Sequence, residues 1–228
     1  MHSLDKFLRQ VYSQNGEDGI IEEIFRRISI IKGWFVEFGA WDGNYLSNTR
    51  LLREIGWSGV YVEADIAQYS LMLKNIQGCK DVYAFNARVD CSDNNLDKIL
   101  SKTPIPDDFD FLSIDIDGND YWIWKACSCK PKIVIIEYNC HFDPTESKSI
   151  PYDPDFRYTY NRYHGASVLA LTNLANKKGY SLVARINVCN LIYVRNDFMH
   201  LFDKLTVEEV PKQIVNDPVP PGKFFVDV

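Results

Sequence analysis

The stretch from Trp34 to Gly43, WFVEFGAWDG, constrains the fold of this chain more than any other. A short apolar run, Trp34 to Phe38, has the composition of a buried strand and is followed at once by Gly39. Turn-forming residues continue to Gly43, and a helical pattern begins near Ser47. A glycine turn between a strand and a helix lets a ligand approach the backbone and offers it the free N–H groups of a helix start. The stretch therefore predicts a nucleotide-type site at the end of a first strand.

The spacing of the acidic and glycine residues distinguishes between nucleotide ligands. Glu37, Gly39 and Gly43 give acid-x-Gly-x-x-x-Gly, which differs from the Gly-x-Gly-x-x-Gly of dinucleotide sites. This difference favours an adenosyl ligand without a pyrophosphate. Glu63 ends the second apolar run, where a carboxylate can accept both hydroxyl protons of a ribose. These residues alone leave open a tight turn and a solvated strand end in an ordinary α/β domain.

The length, composition and charge of the chain exclude several classes of protein. The 228 residues, 46% hydrophobic and 25% charged, suit one α/β domain of ordinary globular composition. A net charge of −6 without a Lys/Arg block does not favour a nucleic-acid partner. Because no apolar run reaches membrane-spanning length and the N-terminus lacks a signal-peptide core, we expect a cytoplasmic protein without a membrane span. The six cysteines form no Cys-x-x-Cys pair, which favours free thiols. A homodimer is left open.

Strand and helix patterns alternate along most of the chain. Strands are predicted at 34–38, 60–63, 82–87, 109–114 and 132–136, with helices at 47–55, 66–75, 94–100 and 122–126. Near-continuous apolar strands separated by helices indicate a parallel sheet covered on both faces. A helix at 166–178 and strands at 180–186 and 190–194 predict a final antiparallel hairpin. The expected fold is α/β: a doubly wound, seven-stranded, mostly parallel, Rossmann-like sheet with a C-terminal antiparallel hairpin.

Three flanking segments complete a single domain, 1–228. Residues 1–32 are predicted as a helical cap with a break, at which Ser13 and Asn15 are candidate helix caps. Residues 140–165 carry several prolines and tyrosines, and a long irregular segment in a compact domain is more often functional than idle. We therefore predict that this segment is an acceptor-binding insertion and lid. The proline-rich residues 205–228 are expected to form an extended tail.

Several motifs, in this order, resemble the FkbM-like family of class I S-adenosylmethionine (SAM) methyltransferases. They are Ser13-Gln14-x-Gly16-Glu17-Asp18, Glu37-Phe38-Gly39-Ala40-x-Asp42-Gly43 with Ser47-Asn48-Thr49, Gly56-Trp57-x-Gly59-Val60-x-Val62-Glu63, Ile114-Asp115-Ile116-Asp117-Gly118-x-Asp120, and the Glu137 that ends strand five. The resemblance covers about residues 10–195. It implies the seven-stranded methyltransferase fold and SAM as cofactor. The sequence departs from the family at Asp117, where members often carry a glutamate, and 140–165 matches no family motif.

The resemblance, together with positions at strand ends, implies a set of cofactor-binding residues. Glu63 would hold the ribose, Gln14 would close over the cofactor, and Asn86, just past strand three, would meet the adenine edge. The full set is Gln14, Glu37, Gly39, Ala40, Asp42, Gly43, Asn48, Glu63, Ala64, Asn86 and Asp115.

Methyl transfer to a hydroxyl requires near-attack geometry and a group that removes a proton. The catalytic candidates are His141, His164 and Asp117. The carboxylates of Asp115, Asp117 and Glu137 also suggest a Mg²⁺ or Mn²⁺ site, since these ions prefer hard oxygen ligands. The alternative is that Asp117 and Asp120 cap the next helix and that Asp115 faces the cofactor.

The leading prediction is a SAM-dependent O-methyltransferase of cytoplasmic polysaccharide biosynthesis. Its acceptor would be a sugar hydroxyl of a glycan or nucleotide sugar, or another small molecule. The alternatives are an N-methyltransferase or a small-molecule methyltransferase on the same scaffold, and a non-catalytic binding protein that keeps the fold. A dinucleotide dehydrogenase is disfavoured because no Gly-x-Gly-x-x-Gly follows strand one.

Overall fold

The computed structural model describes residues 4–187, 189–212 and 218–228, so parts of the predicted cap and tail lie outside the described residues. The helices are α1 Glu17–Arg27, α2 Arg50–Glu54, α3 Ile66–Asn75, α4 Leu96–Leu100, α5 Asp120–Ala126 and α6 Val168–Lys178. The strands are β1 Trp34–Phe38, β2 Ser58–Glu63, β3 Val82–Asn86, β4 Phe111–Ile114, β5 Ile133–Glu137, β6 Lys148–Ser149, β7 Tyr180–Ile186, β8 Asn190–Arg195 and β9 Val226–Asp227. Among the described helices, none has the length and apolar content to cross a membrane.

Seven of the strands form one sheet in the order β3-β2-β1-β4-β5-β8-β7. The first five strands of this order pair in parallel, and β8 pairs antiparallel with both β5 and β7. The predicted fold class is confirmed. Because β1 is flanked by β2 on one side and by β4 on the other, the strand order reverses between β1 and β4. Ligands of open α/β sheets bind at such a point, beyond the carboxyl ends of the strands.

The strands are apolar because helices cover both faces of the sheet. In β1, Val36 packs into one hydrophobic cluster and Phe35 into the cluster on the other face, and all three residues after Phe35 are also buried. The register places Val36 beside Val60 of β2 and Leu112 of β4. Burial on both faces removes most of the apolar surface of these strands from water, which is the main source of their stability.

The starts of α4, α5 and α6 differ from the prediction by two residues, and side-chain hydrogen bonds explain where α1 and α2 start. α1 begins at Glu17 with Gly16 at its N-cap in a left-handed conformation, φ +94°. Ser13 lies before the N-cap position, but its hydroxyl accepts the backbone N–H of Asp18 in the first turn at 3.1 Å, and the Asp18 carboxylate accepts the backbone N–H and hydroxyl of Ser13. The side-chain oxygen of Asn15 accepts from the amide of Asn187 and does not cap the helix. α2 begins at Arg50, because residues 47–49 donate hydrogen bonds to a buried strand carboxylate and do not continue the helix.

The predicted insertion at 140–165 contains one short strand and no helix. That strand, β6, pairs antiparallel with β9, which lies about 80 residues later in the chain. The ring of Phe225 packs against the rings of Phe142 and Tyr163, at centroid distances of 4.6 and 5.1 Å. The later segment therefore fastens the insertion, a contact that the sequence did not predict.

The expectation of free thiols is wrong for one pair of cysteines. Cys127 and Cys129 form a disulfide, with their Cα atoms 5.6 Å apart. Their loop folds around the carboxylate of Asp97, which accepts the backbone N–H groups of Ser128 and Cys129 and so brings the two sulfurs together. The other cysteines of the described residues are not disulfide-bonded.

Candidate functional site

A cavity of about 290 Å³ lies at the reversal of strand order, over the carboxyl ends of β1, β2 and β4. Its lining residues are Gly39, Trp41, Val62, Glu63, Ala64, Ala87, Arg88, Val89, Asp115, Ile116, Asp117, Asn119, Phe156, Arg157, Tyr158 and Tyr160. The insertion thus supplies one wall and the strand ends supply the other. A larger depression of about 710 Å³ beside α1 is mainly apolar and contains none of the strand-end carboxylates.

Gly39 allows the turn after β1 to lie directly against the end of β4. Its φ is +73°, and a Cβ atom at this position would lie 1.6 Å from the backbone oxygen of Asp115. No side chain fits there, and the conformation itself favours glycine. The glycine therefore joins the two strand ends at which the cavity opens.

Glu37 does not line the cavity, but it accepts hydrogen bonds that fix the loop after β1. Its buried carboxylate accepts hydrogen bonds from the hydroxyls of Ser47 and Thr49, at 2.6 and 2.7 Å, and from the backbone N–H of Asn48, at 2.9 Å. Burial raises the pKa of Glu37, and the three donors partly offset that effect. The side chain of Asn48 donates to the hydroxyl of Ser113 in β4. Both predicted cofactor residues thus hold the β1–α2 loop in place.

Glu63 lines the cavity at the end of β2. One carboxylate oxygen accepts the backbone N–H of Trp41 at 2.8 Å, and the other accepts that of Asp65 at 2.7 Å. Burial raises the pKa of Glu63, while these N–H donors favour its charged form. Each oxygen keeps a lone pair that can accept a hydroxyl proton from a ligand.

Asn86 has a different position from the one predicted for an adenine contact. Its side-chain amide donates to the backbone oxygens of Glu63 and Ala64, and so it fixes the end of β2. Past β3, the cavity is lined by Ala87 and Arg88 and by the residue after them.

Three carboxylates meet where β4 and β5 end. Oxygens of Asp115, Asp117 and Glu137 all lie within 4.8 Å of one another. Burial raises the pKa of Asp115 and that of Glu137 well above the ordinary values, and the neighbouring negative charges add to the effect. Asp117 is exposed, adopts φ +58°, and makes no side-chain hydrogen bond to any described residue. The charged forms of these carboxyl groups are therefore disfavoured, and a cationic ligand would stabilise them.

Asp117 does not cap α5, contrary to one alternative from the sequence. The N-cap position is Asn119, whose side chain makes no capping hydrogen bond. Asp120 accepts the backbone N–H groups of Ile116 and Gly118 and so holds the turn before the helix. Burial is the main reason that the pKa of Asp120 is raised to about 6.

The crowding of carboxylates predicts opposite effects of two similar substitutions. Asp115→Asn removes one repelling charge, and we expect the free energy of unfolding to rise by about 1 kcal/mol, the scale of one pKa unit. Asp120→Asn is the matched control, since it loses an acceptor for two buried N–H groups and should lower the stability. Urea unfolding of both variants measures the difference. Equal destabilisation by both substitutions would contradict the repulsion.

The two predicted histidines lie behind the cavity wall. His164 is buried, and its Nδ1 is 4.0 Å from a Glu137 oxygen. Its ring lies 5.2 Å from the ring of Tyr158, which lines the cavity, and 6.3 Å from that of His141. Burial, aided by His141, lowers the pKa of His164 to about 4, so its imidazole is neutral near pH 7. Neither histidine lines the cavity itself.

Of the remaining predicted cofactor residues, Ala40, Asp42 and Gly43 form the β1 turn without lining the cavity, and Gln14 lies beside the β7–β8 turn. Ala40 is buried and donates its N–H to Val62. The Asp42 carboxylate accepts the N–H groups of the next turn and lines a second cavity of about 390 Å³. A Cβ atom at Gly43 would lie 3.3 Å from the side chain of Met72. The Gln14 oxygen accepts a 3.6 Å contact from the sulfur of Cys189.

The wall formed by the insertion was not predicted residue by residue. The ring of Phe156 packs over Gly118, where an added Cβ would lie only 2.3 Å from the ring. Asn119 donates to the backbone oxygen of Asp153 and accepts from its N–H, at 2.7 and 3.3 Å. These contacts dock the insertion on the β4–α5 turn. The sequence signal for this wall is the aromatic cluster at 156–160, within the tyrosine-rich segment that is predicted as a lid.

Comparison with known proteins agrees with this arrangement. No family model matches the sequence, and no curated protein matches it. Among solved structures, the N-terminal domain of EvdMO1 with S-adenosylhomocysteine (SAH) bound is similar, with a TM-score of 0.51, 13% identity, and coverage of 83% of this chain and 82% of that chain. Also similar is a SAM-dependent methyltransferase from Clostridium acetobutylicum, with a TM-score of 0.49, 14% identity, and coverage of 78% and 90%. The chain has the class I methyltransferase fold.

A third similar structure is the fibrillarin pre-rRNA processing protein of Methanococcus jannaschii. Its TM-score is 0.50 at 10% identity, with coverage of 72% of this chain and 67% of that chain. Identities this low establish the fold alone. In this class I methyltransferase fold, the cavity lies where open α/β sheets bind their ligands, at the reversal of strand order.

Proposed function

We propose that this protein is a SAM-dependent methyltransferase that methylates a sugar hydroxyl of a glycan or nucleotide sugar. The observation that supports this most is the cavity itself. It joins a ribose-type carboxylate at the end of β2 to a cluster of acids at the ends of β4 and β5, under an aromatic wall. This is an arrangement for an adenosyl ligand with a positive charge at its reacting end.

The residues of the cavity fit such a cofactor. Glu63 keeps an acceptor lone pair on each oxygen for the ribose hydroxyls. The acids of the strand ends would stabilise a sulfonium, and Gly39 holds the β1 turn against the end of β4, where Asp115 lies. Bound SAM supplies an electrophilic methyl group. The volume of about 290 Å³ is at the small end of ligand sites, so the cofactor would fill it and leave the acceptor at its mouth.

Asp117 is the residue that we place nearest to the acceptor hydroxyl. It lines the cavity, is exposed at its mouth, and makes no hydrogen bond to another described side chain or backbone group. Partial desolvation of its carboxyl at the cavity mouth raises its pKa, which makes it a stronger base than an ordinary aspartate. The other predicted bases do not line the cavity: His164 lies behind Tyr158, and the ring of His141 lies 6.3 Å from that of His164.

The acid cluster also supports a second form of the mechanism, in which Mg²⁺ or Mn²⁺ orients the acceptor oxygen. Asp115, Asp117 and Glu137 supply oxygen ligands at suitable spacing. One Glu137 oxygen and the Nδ1 of His164 accept or donate no hydrogen bond within the described residues, and they lie 4.0 Å apart. If a metal is required, EDTA should abolish turnover and added Mn²⁺ should restore it. If EDTA does not affect turnover, the mechanism without a metal ion is the correct one.

Two experiments test the proposed function. The melting temperature should rise with SAM or SAH and not with NAD, because ligands that bind only the folded state stabilise it. Methyl-labelled SAM incubated with nucleotide sugars and cell-envelope glycans should label one of them. Label on an amine would favour the N-methyltransferase alternative, and SAM binding without any transfer would favour a binding protein. A cytoplasmic location and a homodimer stay predictions.

Glu63→Ala should weaken SAM binding by about 1–3 kcal/mol, the scale of lost charge-assisted hydrogen bonds. The measurement is calorimetric titration with SAH. Asp65→Ala is the matched control, since Asp65 lies two residues away but caps α3 through the N–H groups of Ala67 and Gln68. The control should lose stability and keep its SAH affinity. Unchanged affinity in Glu63→Ala would mean that the ribose is held elsewhere.

A further inference from the structure

Two arginines on the cavity wall are not explained by the cofactor or by the acid cluster. Arg88 follows β3, and Arg157 belongs to the insertion, and both line the cavity. Their guanidinium groups converge on one acceptor, the backbone oxygen of Phe156, at 2.7 Å from Arg88 and 3.4 Å from Arg157. Two cations are therefore held side by side in a chain whose net charge is −6.

Neither arginine is neutralised by the protein. Within the described residues, no carboxylate forms an ion pair with Arg88 or Arg157. Asp155 and Asp153 attract Arg88 electrostatically without forming an ion pair with it. Burial and the charge of Arg157 both lower the pKa of Arg88, so holding the pair together costs free energy. An anionic ligand would remove that cost.

The position of the two arginines in the cavity indicates that they would contact the acceptor and not the cofactor. The acids of the strand ends occupy one side of the cavity, where the sulfonium would lie, and the arginines occupy the wall formed with the insertion. Tyr160 is 91% exposed beside them, and its ring lies 5.3 Å from that of Tyr158, so the mouth offers aromatic faces to a sugar. Guanidinium groups bind phosphate and carboxylate through paired hydrogen bonds.

We propose that Arg88 and Arg157 bind an anionic group, phosphate or carboxylate, of the acceptor sugar. This inference rests on the proposed function and narrows its substrate to charged sugars. A neutral glycan would leave both arginines unpaired at the mouth of the cavity. An acceptor with a phosphate or a carboxylate would place its charge on the arginines and its hydroxyl towards Asp117.

Calorimetric titration of the full chain tests the proposal, with SAH present to fill the cofactor site. The probes are UDP-glucose, glucuronate and neutral glucose, at low ionic strength. We expect at least one anionic probe to bind more tightly than glucose, and Arg157→Gln and Arg88→Gln each to weaken that binding about 10–100-fold. Binding of UDP-glucose alone would identify phosphate as the group, and binding of glucuronate alone would identify carboxylate. Lys80→Gln, which removes an exposed cation outside the cavity, should have no effect.

Equal binding of charged and neutral sugars would overturn the proposal. So would a parallel loss of SAH affinity in the arginine variants, since the arginines would then hold the cofactor. Arg88→Gln could loosen the insertion, but Arg157 is exposed and its contact with Phe156 is long, so Arg157→Gln keeps the test valid. Repeating the titration without SAH separates the proposal of an anion site from the proposal of a methyltransferase. Anion binding that depends on the arginines, in a protein that does not bind SAH, would refute the methyltransferase and keep the anion site.

Discussion

Asp117→Asn is expected to lower turnover by ~10²–10⁴-fold, the usual contribution of a general base. The substitution keeps the size of the side chain and the left-handed backbone, φ +58°, which asparagine tolerates as well as aspartate. SAH affinity should change little, because the ribose carboxylate and the β1 turn are untouched. The measurements are initial rates with labelled SAM and calorimetric titration with SAH.

Asp81→Asn is a matched control for this variant. Asp81 is also an exposed aspartate in the left-handed region, φ +57°, but it lies before β3 and far from the cavity lining. Its turnover should equal that of the wild type. His164→Gln should retain more activity than Asp117→Asn, because His164 lies behind Tyr158. If His164→Gln is instead the more severely impaired, the base is His164 and Asp117 has another role.

Gly39→Ala should have the largest effect on cofactor binding and should also destabilise the fold. The new methyl group would overlap the backbone oxygen of Asp115, at 1.6 Å, so the β1 turn or the end of β4 must move. The strained φ of +73° adds its own cost for a non-glycine residue. We expect a loss of at least about 2–3 kcal/mol in the free energy of unfolding and no detectable SAH binding.

Gly78→Ala separates strain from overlap in this experiment. Gly78 has φ +86°, and a Cβ atom there would meet nothing within 4 Å. The free energy of unfolding of this control should fall by only about 1–2 kcal/mol, the cost of a non-glycine residue in the left-handed conformation. It should bind SAH normally. Chemical denaturation and SAH titration of the two variants give the comparison. Equal losses of stability, with SAH binding retained in both, would show that the turn tolerates the overlap by shifting.

The sheet could be predicted because its signals are local. The bounds of β1 and α3 were predicted to the residue, since an apolar run or a helical period defines them without reference to other parts of the chain. The start of α2 was predicted three residues too early because Ser47, Asn48 and Thr49 also suit a helix start. Their hydroxyl and N–H groups are used by Glu37, ten to twelve residues earlier, and no local pattern indicates that.

The candidate site was predicted where topology determines it. Glu63 and Asp115 end parallel strands, and parallel strands bring their carboxyl ends to one edge of the sheet. The wall of the cavity depends on contacts between distant residues, such as Phe156 over Gly118 and Arg88 with Phe156. These contacts depend on how the irregular insertion packs, and its sequence has no periodicity from which the packing could be predicted. The Cys127–Cys129 pair was missed for the same reason, since Asp97 shapes its loop.

The pairing of β6 with β9 has a consequence for the order in which the protein is made. Residues 226–228 reach the ribosomal exit long after residues 147–149, yet the backbone N–H of Val228 and the carboxylate of Asp227 hold that earlier segment through Ser147 and Lys148. During synthesis the seven-stranded sheet has all its strands by residue 195, whereas the pairing of β6 must wait for the chain to reach β9. A nascent chain should therefore bring the strand-end acids together before the insertion is fastened at residues 148–149.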